Sequence, residues 1–429
     1  MPAHLRLLKT RFALAIGVFA LLCAIALLSR YSPQLSSSHV RAQADVKIVV
    51  SSGADGGAGS LREALFTADA AEGKAQIVIR AKKIVLETPL PPLMNLHGIR
   101  IVAEPEGLEI DAHALRGGAV FDIDGANVTI EGLLIRYCPA AAILLRASAF
   151  HLESTTVDSC DVGVDVAENA SDLLLAHSRF LNNRIGVRFA ASSRSAVLRE
   201  NQFSSDKEAG VWAVRGSLDL GDVGAINVHD NHFHADNISV VAGNVSILLE
   251  RNVFTAAHAA AMHLIGTGVV ARGNRISGGA GTGIVVEGAR GALLDNNEID
   301  NVTGYGILVR HSGKTLIQNN RIHNCGYGMA FVLGDAVNPS TAADNLLIAQ
   351  KYDAIDIIGD SPILLRNRVL QTHAQALRVE DYHSPDGRPV RAHPFLDGNV
   401  ISSTAGESPA IAMTAAAYGT GVAPAVVAK

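Results

Sequence analysis

An asparagine that returns at a fixed interval constrains this chain more than any other feature. Asn201, Asn231, Asn252, Asn274, Asn297, Asn320, Asn345, Asn367 and Asn399 each stand two residues before a large apolar residue, from Phe203 to Ile401. Ser178, Thr155 and Gly132 carry the same register backwards to Phe180, Val157 and Leu134. The intervals from Gly132 onward are 23, 23, 23, 30, 21, 22, 23, 23, 25, 22 and 32 residues. Such a period defines a stacked repeat.

Each unit opens with a short alternating run, such as Val245–Leu249, then gives the Asn and its apolar partner, then a polar or Gly-rich corner. A second run closes it, as in Gly163-Val-Asp-Val, Gly186-Val-Arg-Phe, Gly283-Ile-Val-Val and Ala376-Leu-Arg-Val. Short β-branched runs between turn residues read as strands. About 22 residues with two or three strands fits one coil of a parallel β-helix; the Leu frame of leucine-rich repeats is absent, and propeller blades need about twice the length. The Asn is expected at a corner, tolerating left-handed backbone and forming a side-chain ladder with its equivalents in adjacent coils. Its expected role is structural.

Two insertions break the cadence, Arg215–Gly224 and Glu380–His393, both between a closing strand and the next opening strand. Residues 117–405 are read as β-helix repeats and 406–429 as a flexible C-terminal tail. Residues 45–116 are read as the N-terminal cap and first coils. There Ser60-Leu-Arg-Glu63 forms a capping box, and Leu61, Ala64, Leu65 and Ala68 give the helix that follows one apolar face. Such a helix covers the open end of a solenoid. Strands are expected at 76–79, 83–86, 99–102 and 108–110.

Residues 1–44 carry Arg6, Lys9 and Arg11 before an unbroken apolar run, Phe12–Leu28. This reads as an uncleaved membrane anchor or as a cleaved signal peptide, followed by a polar tether. Either places the body outside the cytoplasm, in the periplasm or extracellular space, and makes the membrane a partner through the N-terminal helix. Cys138 and Cys160 are one repeat apart; a disulfide in an oxidising compartment and a pair of buried thiols both fit. A net charge of −5 without a basic block gives no footprint for nucleic acid.

Gly59-Ser-Leu-Arg-Glu-Ala-Leu65, Ile77-Val-Ile79, Ile84–Leu90, Ile99–Val102 and Leu108–Asp111 resemble the cap and first coils of pectate-lyase-like right-handed parallel β-helix proteins. The later coils resemble the parallel β-helix repeats of carbohydrate-binding and sugar-hydrolase-like domains. The resemblance implies an all-β, single-stranded right-handed parallel β-helix and a polysaccharide partner. It marks structure more than chemistry. The Gly-His-Gly run of polygalacturonases and the Asp-Pro-His-Asp run of alginate epimerases are absent.

Alternate strand residues point outward, so outward positions stack from coil to coil. On the closing strand they are expected to include Asp165, Arg188, Trp212, Ser239, His263, Asp356 and Arg378; on the opening strand, Arg199, His229, Glu250 and Arg272. Arg188, Trp212, His263, Arg199 and His229 are the candidate substrate-binding residues, with charges for acid groups and an indole for a sugar ring. An alternating-charge sheet face that only stabilises the strands is the competing reading.

The candidate catalytic residues are Arg378, His383, Tyr382 and Asp356. Elimination or C5-epimerisation of a uronic acid needs a cation on the carboxylate, a base for the α-proton and an acid to return one. Arg378, His383 and Tyr382 fill those roles in that order, with Asp356 holding Arg378. Asp353 and Asp356, or Glu380 and Asp381, are the carboxylate pairs that glycoside hydrolysis would use. The chemistry requires no cofactor; a divalent cation such as calcium is an alternative neutraliser of the uronate. His229, His232 and His234, with His258 and His263 nearby, are a weaker candidate for copper or zinc. The expected function is a polysaccharide lyase or epimerase, against a non-catalytic carbohydrate-binding or export scaffold.

Overall fold

The structure, a computed structural model, describes residues 45–428 except 169, 191–194, 215–225, 267, 405–410 and 414–425. The N-terminal anchor or signal and the Arg215–Gly224 insertion lie outside the described residues. Among those described, no helix is long and apolar enough to cross a membrane.

Each coil of about 22 residues contributes one strand to each of three parallel sheets, two with 15 strands and one with 13. The result is a right-handed parallel β-helix of about 13 turns. We name the sheets opening, middle and closing, after the order of their strands in a coil. Coil 247–265 is typical: opening strand Ile247–Glu250, middle strand Val253–Thr255, closing strand Ala260–Ile265. The expected early strands appear at Ala75–Ile79, Lys83–Val85, Ile99–Ala103 and Leu108–Asp111, preceded by an additional strand, Val46–Val50. In the expected tail, 406–429, the short strands Ile411–Met413 and Val426–Ala428 continue the closing and middle sheets.

The helix Leu61–Asp69 begins as its capping box dictates. Ser60 Oγ accepts from the Glu63 amide, and Glu63 accepts from the Gly59 amide. Leu61, Ala64, Leu65 and Ala68 are buried against the first strands of the opening sheet.

The asparagines do form a ladder. Asn274 Nδ2 donates to Asn297 Oδ1 (2.9 Å) and to the Leu249 carbonyl (2.8 Å), while the Asn274 amide donates to the same Asn297 oxygen (3.1 Å). The pattern repeats from Asn201 to Asn399. One expectation is corrected: the left-handed residue is not the Asn but the one before it, including Glu200 (φ 57°), Asp230 (57°), Asn296 (53°) and Arg366 (51°). The side chain that satisfies the corner and the backbone that turns it belong to adjacent residues.

A second left-handed corner follows each middle strand, at Asn182, Ser205, Ala235 and Ala256 among others. It carries its own buried stack. The Cys160 amide donates to Asn183 Oδ1, the Asn183 amide to Asp206 Oδ1, and the Asp206 amide to Asp236 Oδ1. Cys138 and Cys160 head this stack and are disulfide-bonded.

The glycines that open the closing runs have a steric cause. A Cβ on Gly186 would stand 2.9 Å from the Phe203 ring, and one on Gly210 3.0 Å from Phe233. Those rings belong to an interior stack, Phe180–Phe203–Phe233–Phe254, with centroids 4.6–4.9 Å apart. Ser239, expected outward, occupies this glycine position and is fully buried. Val241 is the outward residue of that coil, paired with Trp212 and His263.

Candidate functional site

The sequence-derived substrate residues lie on two different sheets. Arg199 and His229 are register neighbours on the opening sheet. Arg199 pairs with Glu200 (3.2 Å), and His229 Nδ1 with Asp230 (2.7 Å). Arg188, Trp212 and His263 are on the closing sheet. There Arg188 grips Asp165 through the Nε and Nη2 donors of one guanidinium edge (2.9 and 2.6 Å), and His263 Nε2 lies 2.9 Å from Glu287, which also holds Arg310 (2.7 Å). Trp212 follows Arg188 in register and is half-buried. His232 and His234 project from the middle sheet and contact Thr255. Among the described residues no group of three metal-ligating side chains converges.

Farther along the closing sheet, past a saddle of Val285, Leu308 and Ala330, polar and aromatic groups concentrate. Asp356 and Arg378 are register partners on successive strands, as expected. Arg378 is held by other carboxylates: Glu380 at 2.7 Å and Asp353 at 3.8 Å. Asp356 is instead covered. It is 1 % exposed, its Oδ2 accepts from the Tyr305 hydroxyl (3.4 Å), and its Oδ1 is buried with no hydrogen-bond partner. Burial, then the nearby Asp353 carboxylate, raises its pKa to about 7. Burial and the Asp356 charge push the Tyr305 phenol up to about 12.

Tyr305 begins a row the sequence reading missed. Its ring stacks on Tyr327 (4.6 Å), and Tyr327 on Tyr352 (4.9 Å). Tyr352 is 42 % exposed, with Lys351 Nζ 5.3 Å from its ring. The signal was available: tyrosine directly precedes the glycine of the closing run in Tyr305-Gly306 and Tyr327-Gly328. The site is therefore an aromatic platform beside three carboxylates, Asp353, Asp356 and Glu380, and an arginine. A sugar ring stacks on such a surface through its C–H face while charged groups meet its substituents.

Tyr382 and His383 are placed elsewhere. They form one arm of a small antiparallel hairpin, Tyr382 opposite Val390 and His383 opposite Pro389. Tyr382 packs closely on Gly359, at the corner leading to the opening sheet. His383 is exposed and five residues beyond Arg378, at most about 17 Å along an extended chain. Among the described residues no hydrogen bond or ion pair joins Tyr382 or His383 to Asp356 or Arg378.

Architecture and corner geometry together define a right-handed parallel β-helix protein. The right-handed beta helix region family matches residues 106–221 and 218–370, more than half of the chain, and the protein belongs to that family. No curated protein matches the sequence. Among solved structures, the catalytic unit of a thermostable GH87 α-1,3-glucanase from Streptomyces thermodiastaticus is similar at TM-score 0.55 and 13% identity, over 83% of this chain and 68% of that one. A mannuronan C-5 epimerase A-module from Azotobacter vinelandii is similar at 0.51 and 13%, over 84% and 100%. A tailspike protein of E. coli bacteriophage HK620 is similar at 0.52 and 11%, over 86% and 78%. At such identities the likeness is one of fold.

Proposed function

We propose that this is an extracytoplasmic polysaccharide-active protein of lyase or C5-epimerase type, working on an acidic glycan along the outer face of its closing sheet. The observation that carries this reading is Asp356, a buried carboxyl with a pKa near neutrality, touching the Tyr305 hydroxyl beside Arg378 and an aromatic platform. The fold shared with a glucanase and a mannuronan epimerase supports it, and the Cys138–Cys160 disulfide supports export to an oxidising compartment.

In this reading Arg378 exchanges Glu380 for a uronate carboxylate, which makes the adjacent C–H acidic. Tyr305, neutral because of its raised pKa, donates a proton to the leaving oxygen or to the ring carbon, and Asp356 replaces it. A group with pKa near the working pH suits that second step. The base falls to His383 only if the hairpin folds over the bound chain.

The test is to mix the protein with polyuronates, following the ultraviolet absorbance of unsaturated uronate for elimination and product NMR for epimerisation. Tyr305→Phe and Arg378→Ala are each expected to lower the rate by about a hundredfold or more. Unchanged rates in both variants would remove the site. The closed position of Asp356 favours a second reading, a non-catalytic carbohydrate-binding or export scaffold. Binding without any product would establish it.

A further inference from the structure

The residue between each ladder asparagine and its apolar partner points outward from the middle sheet, forming one column along the solenoid. Basic residue types occupy every second coil of that column: the arginines Arg179, Arg275, Arg321 and Arg368, with His232 in the one remaining place. All five are exposed. Arg179, Arg321 and Arg368 have no ion-pair partner among the described residues, and Arg275 has only a distant one, Glu298 at 3.9 Å. Glu298 is the one acid between Arg179 and Arg368 in the column. Several exposed arginines elsewhere are tied to carboxylates in adjacent coils, as Arg251 is to Asp230 and Arg366 to Asp344; Arg116, Arg290 and Arg391 are exposed without such a partner among the described residues but stand singly, not in a row.

We infer that the middle sheet is a second glycan-binding face, one that holds a linear anionic polysaccharide parallel to the solenoid axis. Two coils measure about 9.6 Å by the spacing of parallel strands. That is close to the length of a disaccharide in an extended pyranose chain, so acid groups on alternate sugars meet successive cations. The row from Arg179 to Arg368 crosses eight coil steps, about 38 Å. Guanidinium groups suit carboxylate or sulfate through paired N–H donors. A rigid row of charges at fixed spacing selects a polymer of matching spacing over one of equal charge density but different repeat. This face is separate from the tyrosine–carboxylate patch on the closing sheet, and it gives the polymer of the proposed function a reason to be acidic.

The experiment is a binding titration of the full chain with a length series of oligouronates, a neutral oligoglucan of matched length, and inorganic polyphosphate. For the wild type, affinity is expected to climb in steps of two sugars and to weaken as salt rises. The triple variant R275Q/R321Q/R368Q should bind long oligouronates about tenfold more weakly. The corresponding triple lysine variant keeps the charges but not the paired donors, so it should bind more tightly than the glutamine variant and more weakly than the wild type. Because these side chains are exposed, all variants should melt with the wild type. Equal binding of the neutral glucan, equal binding of polyphosphate, or unchanged affinity in the glutamine variant would overturn the inference. Product formation on the closing sheet is scored separately, so failure here and failure of the catalytic reading are distinguishable.

Discussion

Replacing Asn297 with alanine is expected to destabilise the protein by about 3–5 kcal/mol, among the largest effects of any single polar substitution. Asn297 is 1 % exposed. Its Oδ1 accepts from both the amide and the side chain of Asn274, and its Nδ2 donates to the Ala271 carbonyl and to Asn320 Oδ1 (2.9 Å each). Truncation strands the Asn274 amide and the Ala271 carbonyl in the interior, where no water replaces the lost partner. Gln202→Ala, on the exposed face of the equivalent corner four coils earlier, is expected to change stability by less than about 0.5 kcal/mol. Denaturant titration of both variants checks this. Equal costs would mean that the ladder is ornamental.

The second large effect runs the other way. Asp206 and Asp236 occupy ladder positions at the second corner, where Asn183 in the preceding coil has an amide nitrogen that donates to the Val157 carbonyl (3.3 Å). Their Oδ2 atoms are buried without partners. Burial raises the pKa of Asp236 from 3.8 to about 7; burial, then the charge of Asp236, raises that of Asp206 well above its ordinary value. The folded chain thus keeps protons that the unfolded chain has already released. The Asp236 contribution is complete below about pH 4 and is lost as pH rises from there to about 7, and Asp206 adds a loss in the same direction. Asparagine has the same shape, does not titrate and supplies the missing donor. Asp236→Asn is therefore expected to add about 2–4 kcal/mol at pH 8 and almost nothing at pH 4. Parallel stability–pH curves for variant and wild type would refute the account of this corner.

Much of the architecture was legible because a solenoid writes its geometry into one period. The Asn-x-apolar register gave the coil length, the ladder and the adjacency of Asp356 and Arg378. It did not give the sharing of work at the corner: a left-handed residue can be Glu200, Asp230 or Arg366, so its identity carries little information. Ser239 was misplaced because a polar residue suggests an outward position, whereas the Phe stack beneath demands only a small one. The site was read in part for a related reason. Stacking only the opening and closing strands left out the middle strand, and with it the arginines of every second coil. Tyr305, Tyr327 and Tyr352 come from different coils and meet only when the coils are superposed. The hairpin holding Tyr382 and His383 attracted attention by its composition, but composition does not say which way an insertion leaves the solenoid.

The central functional claim is that a glycan lies on the tyrosine–carboxylate patch of the closing sheet. Calorimetric titration of the double variant Tyr327→Ala, Tyr352→Ala with acidic oligosaccharides tests it most directly. Loss of the stacked platform should weaken the closing-sheet binding event by about tenfold or more, while the separate binding event at the middle-sheet arginines keeps its affinity. A variant that binds as tightly as the wild type would contradict the claim and leave the closing sheet without a ligand.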